Sequence, residues 1–474
     1  MTPGLAVGNF RRIASRGFGD GANSYPHSMV WFDGRLYVGT SRFSLVVHRL
    51  TAGFVMPPLL CWPVSLPESM DLWDVDLRSQ VWRWDPATDT WSAVWTAPWR
   101  EGRDGRQVPL SMALRAMAVF QGRSDPAPAL YLPTFPPSLV GEGAVMLRSA
   151  DGVAFEVVSE PGVALLEWGF RSFRTLVPFK GRLFTAPTMG SVRGKPNIAG
   201  VAAVLCSADP ARGDWEVAND PGFGDPNNLT VFELAEFAGH LYAGTANIAE
   251  GFQLWKTDGE GKPPFRWTPV LTHGAWRGKL NQGVVAMAVF GAHLYVSGAI
   301  QNGGFDRRNL VGPAAAELIR VRPDDTFDLV VADPRETPAG LKMPLSGMRA
   351  GFGNPLAGYF WKLCEHEGWL YCGTFDASPI LPFHSLSTAP EFVRTLLSGP
   401  GLEHFMRTFG GFDLWRTADG VAWLPGRQNG RILSPHVTIA PACGISPSAR
   451  ASSRNLFIPA SAAGVMVYFM CRVR

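Results

Sequence analysis

Apolar and polar positions alternate along this chain in short runs, and the runs come in pairs. Six times an apolar run closes on an anchor residue: Phe32, Phe120, Phe179, Phe237, Phe290 and His366. A short turn follows, usually containing Gly, and then Leu36-Tyr37, Leu130-Tyr131, Leu183-Phe184, Leu241-Tyr242, Leu294-Tyr295 or Leu370-Tyr371 opens the next run. Each pair predicts a β-hairpin. Three positions before each anchor stand Met29, Met117, Leu176, Leu234, Met287 and Leu363; two before stand Val30, Ala118, Val177, Ala235, Ala288 and Cys364. Neighbouring positions on a strand face opposite ways, so one face is large and apolar and the other small and apolar. That pattern predicts a strand sandwiched between neighbouring sheets.

A second hairpin follows in every unit, as in "SQVWRWDPATDTW" and "FDLWRTADGVAW", with Asp in its turn each time: Asp85, Asp151, Asp209, Asp258, Asp324 and Asp419. An Asp side chain closes such turns by accepting from nearby backbone N–H groups. Anchor spacings of 88, 59, 58, 53 and 76 residues indicate a core unit near the shortest value and insertions in two units. Four strands per unit, repeated radially, predict a β-propeller.

The repeat is also visible as sequence. "GFGDGANSYPHSMVWFDGRLYVGT" (17–40) returns as "GFGDPNNLTVFELAEFAGHLYAGT" (222–245), and a third copy runs from Gly351 to Thr374. From Phe10/Trp215 to Thr40/Thr245 the first two align without a gap at an offset of 205, with 11 of 31 positions identical. Phe10 to Ser15 then matches a fourth strand, whereas the C-terminal "RNLFIPAS" and "GVMVYFMCRVR" read as a second and third strand lacking a fourth. The expectation is one all-β domain over residues 1–474, a seven-bladed propeller whose last blade is closed by the N-terminal strand pairing with residues 464–473. Its first strand would fall within residues 444–453; a six-bladed ring with an irregular tail is the alternative.

The turns "ADGVAW" (418–423) and "SADGVAF" (149–155) resemble a shortened Asp-box of sialidase-like and kelch-like propellers, which implies that fold and an active site on the face opposite the box. The Gly-Phe-Gly-Asp/Asn units with Leu-Tyr-x-Gly-Thr are more distantly similar to the propeller domain of cylindrocyclophane-type alkyltransferases. Those enzymes carry an additional calcium-binding N-terminal domain, for which units starting at residue 10 leave no room. Their catalytic residues have no counterpart positions here.

Composition narrows the partners. Lys plus Arg exceed Asp plus Glu by only 43 − 40 = 3, so no strong field favours nucleic acid or an anionic membrane. No run approaches the roughly 18 apolar residues of a spanning helix, and the N-terminus lacks the continuous apolar stretch of a signal peptide. Six scattered cysteines without a Cys-x-x-Cys suggest a cytoplasmic location and no zinc cage. Across a two-residue turn Cys364 would face Tyr371, not Cys372.

Candidate chemistry gathers five residues before each anchor: His27, Arg115, Arg174, Phe232, Val285 and Trp361. A column that turns from apolar to basic and aromatic marks the mouth of a central channel. Nearby Tyr25, Asn228 and Tyr359, and after the second strands Arg42, Asn247 and Asp376, are expected to complete a pocket. His27 and Asp376 are the candidate proton-moving groups; Arg115 and Arg174 would hold an anionic or polarised group. Only His27 of the nine histidines occupies the channel-lining place of an inner strand that a four-His metal propeller would use, so no metal centre and no cofactor is assigned. The Gly-Phe-Gly turns lack the strand–loop–helix order of a phosphate cradle and read as blade-to-blade turns, with Phe plugging the gap.

Two insertions, 41–78 and 375–409, lie on the same side. The second, "TAPEFVRTLLSGPGLEHFMRTF", predicts two short helices separated at Gly399-Pro400. Their apolar content suits a lid or a protein-binding patch. The leading expectation is a small-molecule-binding or tailoring enzyme of specialised metabolism, acting on an apolar or aromatic molecule. A non-catalytic interaction scaffold and a carbohydrate-binding propeller are the alternatives.

Overall fold

The computed structural model describes residues 10–51, 66–137, 140, 142–163, 170, 172–188, 191–192, 195–196, 202–300, 304–306, 309–376, 391–396, 400–427, 455–462 and 465–472. The architecture is all-β with a propeller-like arrangement. Four separate sheets are four-stranded antiparallel meanders, with inner strands Asn23–Phe32, Ala118–Phe120, Ser172–Phe179 and Ala357–His366. An eight-stranded sheet holds two more such meanders, starting at Thr230–Phe237 and Gly283–Phe290, joined through Ala246 opposite Gly283. A three-stranded sheet pairs Phe10–Ala14 with Val465–Arg472, and the latter with Asn455–Ala462. Phe10 faces Cys471 and Ala14 faces Tyr468, within the segment the sequence pattern selected. Residues 444–453 lie outside the described residues.

Local chemistry explains the repeated letters. At the inner hairpins Asp33-Gly34, Lys180-Gly181, Ala238-Gly239 and Glu367-Gly368 both turn residues have positive φ. Two positive φ values define the tight turn that matches strand twist, and Gly adopts the second without steric cost. The Gly of Leu-Tyr-x-Gly-Thr has another reason. A Cβ on Gly244 would lie 2.5 Å from Val284 Cβ, and one on Gly39 would lie 2.7 Å from Leu114 Cβ. Val284 lies in the inner strand of the next meander and Leu114 just ahead of the one in the second sheet, so this Gly sets how closely adjacent meanders pack. The buried Tyr of the same motif reaches the next sheet too: Tyr295 Oη donates to Gly420 O at 3.2 Å.

The Asp turns form as expected. Asp151 Oδ1 accepts from Val153 N and Ala154 N, both at 2.8 Å, and Asp419 repeats this with Val421 and Ala422. Those donors hold the Asp151 carboxyl below its usual value. The Gly-Phe-Gly segments add a contact within their own sheets. Each Phe stacks on a Trp of its own sheet's third strand: Phe18 on Trp82 (4.8 Å), Phe223 on Trp255 (5.2 Å) and Phe352 on Trp415 (4.4 Å). A second Trp of that sheet (Trp91, Trp267, Trp423) packs at an angle. The motif therefore clamps its own sheet while its Phe also packs in a core cluster shared with the preceding one, as Phe223 does with Phe184 and Ala202.

Both insertions contain helix. Ser44–Thr51 and a short turn at Leu72–Asp74 lie in the first; Glu391–Leu396 and Pro400–Phe409 lie in the second, on either side of the predicted break. The lid expectation rested on Val55, Leu59, Leu60, Trp62, Phe392, Leu396 and Phe405; these side chains lie outside the described residues. No described helix is long and apolar enough to cross a membrane. Cys364 faces Tyr371 across its hairpin, as the turn length requires, and Cys206, Cys364 and Cys372 are buried thiols outside any disulfide.

Candidate functional site

Three of the sequence-selected residues turn out to build the scaffold. Asn228 is fully buried; its Nδ2 donates to Gly222 O (2.9 Å) and Gln253 Oε1 (2.7 Å), and its Oδ1 accepts from Thr245 Oγ1 (3.0 Å). Asn247, also fully buried, donates to Asn228 Oδ1 and to Asp225 Oδ2. In the first sheet Asn23 takes the place of Asn228, bonding Gly17 O, Gln80 Oε1 and Thr40. Arg42 takes the place of Asn247: Nη1 bonds Asp20 Oδ2 at 2.7 Å and Asn23 Oδ1 at 3.2 Å, and Nε bonds Asp76 O. These networks run laterally toward the third strand, where Trp82 and Trp255 donate to the same glutamines. Arg42, Asn228 and Asn247 thus spend their hydrogen bonds within the scaffold, as buried polar groups generally do. Asp376 follows Thr374 as Arg42 follows Thr40, and its backbone pairs with Ala357; its side chain lies outside the described residues.

The remaining candidates converge, and a repeated backbone irregularity aims them. In the first sheet Pro26 faces Thr40 but Ser28 faces Gly39, so His27 is an extra residue. The same one-residue slip falls at Phe232, Val285 and Trp361, and in the third sheet between Phe173 and Leu176, at Arg174. A β-bulge breaks the strict alternation of a strand and re-aims its side chains. The mixed column of the sequence is this row of bulges. Arg115 lies just ahead of its short inner strand, with no ladder partner of its own.

Around the bulges, side chains from five sheets meet. Tyr25 packs its ring against His27 at 4.5 Å and faces Trp361 at 6.3 Å. Tyr359, Trp361 and Phe375 form one aromatic surface with centroids 5.4 to 6.0 Å apart. Arg174 lies over Phe232 at 4.7 Å and over Trp361 at 5.5 Å; among the described residues its guanidinium makes no hydrogen bond or ion pair. Arg115 Nη1 donates to Ser172 Oγ (3.0 Å) and Thr188 Oγ1 (3.3 Å) and sits over Phe135. Across the ring, Lys362 Nζ meets Glu233 Oε2 at 3.3 Å. His27 Nδ1 pairs with Ser41 Oγ at 2.9 Å. Tyr25, His27, Arg115, Arg174, Phe232, Glu233, Trp361 and Lys362 are all half-buried, none sealed in the core.

The charges are uneven. Among the described residues, three cations, Arg115, Arg174 and Lys362, share the cluster with one carboxylate, Glu233. Burial lowers the His27 pKa well below the usual imidazole value, and Arg115, Arg174 and Lys362 push it further down. The ring is thus neutral at pH 7 and fit to accept a proton. Burial, then Arg174, bring the Arg115 pKa down to about 9, with Tyr25 opposing, which leaves the guanidinium charged at pH 7. Among the described residues no group of three or more His, Cys, Asp or Glu side chains is placed to hold a metal.

Sequence reasoning missed Glu233, Lys362, Ser41, Phe135 and Phe375. Glu233 and Lys362 stand four residues before their anchors, where the other units have Ser28, Ala116, Thr175 and Ala286. Two opposite charges in a column of small residues were the available signal.

No protein-family model and no curated protein matches the sequence. Solved structures with similar chain traces include a puromycin-hydrolysing peptidase of Mycobacterium tuberculosis (10% identity, TM-score 0.47, 97% of this chain and 52% of that one). The β-propeller domain of the Trilobed protease from Pyrococcus furiosus is similar over 94% of this chain and 92% of its own (6% identity, TM-score 0.42). Sqt1 from Chaetomium thermophilum is similar over 98% and 100% (12% identity, TM-score 0.43). This chain thus spans about half the length of the peptidase. The class it belongs to, an all-β protein of propeller-like arrangement, rests on its own strand order.

Proposed function

We propose that the chain is a single seven-bladed propeller over residues 1–474, its last blade completed by Phe10–Ala14. We further propose that the bulge cluster at its channel mouth binds an anionic aromatic small molecule, with the two insertions covering that end. In this reading Arg174 and Arg115 hold the anion, and Tyr25, Tyr359 and Trp361 receive the apolar body. His27 moves a proton, in a tailoring reaction of specialised metabolism within the cytoplasm.

The observation that carries the reading is Arg174. A half-buried guanidinium that, among the described residues, packs on aromatic rings with no hydrogen bond or ion pair, beside two more cations, favours an anion. A purely structural arginine would satisfy its fork with carboxylates or carbonyls, as Arg277 and Arg335 do around the buried Glu317. The test is a thermal-shift screen of arylcarboxylates against matched uncharged amides. Stabilisation by the acids, absent with the amides and absent in Arg174→Ala, is the expected result. Equal stabilisation by acids and amides, or none by either, contradicts it.

A further inference from the structure

His27 sits where a ligand's charge would be felt most. Arg115 approaches from the second sheet, Arg174 from the third and Lys362 from the sixth, while Glu233 of the fourth is engaged with Lys362. Tyr25 covers the ring from its own strand, and Ser41 holds Nδ1 from the adjacent one. Among the described residues, the charged groups that act on the imidazole are the three cations Arg115, Arg174 and Lys362.

We propose that this cluster takes up its anionic ligand together with one proton, which lodges on His27. The inference rests on the function proposed above and adds the coupling. A carboxylate placed against Arg174 and Arg115 cancels part of the field that keeps the imidazole neutral. It also supplies a negative charge of its own, so the imidazolium becomes the favoured form. Ser41 suits both states, because a hydroxyl can donate to a bare Nδ1 or accept from a protonated one. The ring therefore changes charge without leaving a buried group unpaired. Affinity for the anion rises as pH falls through the His27 pKa of the complex, by at most about tenfold per pH unit, and levels off below that of the free protein.

Two measurements on the full chain test this with 2-naphthoate as the probe. Calorimetric titration near pH 6.5, in buffers of different ionisation enthalpy, reads proton uptake. NMR of 13C-labelled histidine, with His27 assigned through His27→Gln, reads the titration itself. The expected outcome is uptake approaching one proton, lost in His27→Gln. In the free protein the His27 resonance should titrate well below the unperturbed value of about 6.5 and move up on saturation. Arg174→Gln should move it up without any ligand. Binding without proton uptake overturns the coupling and leaves the proposed function standing. An ordinary His27 titration in the free protein overturns the coupling as well. Failure of 2-naphthoate and every related arylcarboxylate to bind removes both.

Discussion

The networks centred on Asn23 and Asn228 match residue for residue at the 205-residue offset: Gly17 with Gly222, Asp20 with Asp225, Thr40 with Thr245, Arg42 with Asn247. Beyond each centre the match stops, and four residues on, His27 corresponds to Phe232. Both regions are polar, both lie near the same strand ends, and they are separated by a single bulge. The network repeats because every sheet has the same problem: an inner strand must be tied to its third strand by groups with no water to bond. The bulge itself repeats, but its side chains do not, because no shared packing task dictates them. In a repeat protein, recurrence marks what the scaffold requires, and departure from it marks what is left for binding.

The largest effect should follow from breaking a recurring hub. Asn228→Ala leaves Gln253, Thr245 and Asn247 facing a missing partner in a buried site, and should cost about 3 kcal/mol in urea denaturation. A loss within experimental error would mean that the network does not hold the sheet. Gly244→Ala forces a methyl onto Val284 and should cost about 1 to 3 kcal/mol, through the spacing of two sheets and not through any hydrogen bond. Crystallographic superposition of that variant should show the two sheets moved apart.

Acid should act through the unrepeated region. A histidine whose folded-state pKa lies below its unfolded one is stabilising above the unfolded value, and that stability is lost as pH falls from there toward the folded value. His27 and His366 are both lowered, each first by burial. Stability should fall as pH drops below about 6.5, by up to about 1.4 kcal/mol per unit for each such group. His27→Gln should make the curve shallower; a curve unchanged by that substitution would place the titration elsewhere.

Much of this contrast was legible in the sequence, and what was not has identifiable causes. Anchors, turn glycines and Asp turns repeat, so the hairpins and their register could be read from spacing. The basic and aromatic column was visible too, since His27, Arg115, Arg174 and Trp361 replace apolar residues. The bulge was not visible. Strict alternation from Phe237 sends Glu233 away from Phe232, whereas an extra residue can bring both toward the ring's centre. The internal hydrogen bonds of Arg42, Asn228 and Asn247 were not visible either, because a polar residue at a strand end looks the same in sequence whichever way it faces.

The smallest stability effect should come from Arg174→Met. It removes a cation that has no carboxylate partner among the described residues and keeps its contact with Phe232 and Trp361, so the change should stay within about 0.5 kcal/mol. A loss as large as that of Asn228→Ala would make Arg174 part of the scaffold.

The claim that recurrence and departure separate scaffold from site is tested most directly by measuring two properties on the same two variants. Urea denaturation and calorimetric binding of 2-naphthoate should be run on Asn228→Ala and Arg174→Ala beside the unmodified chain. The account predicts that Asn228→Ala loses stability and, while folded, binds with unchanged affinity, and that Arg174→Ala keeps its stability and loses binding. If both variants lose both properties together, the two regions are one structural unit and the account is contradicted.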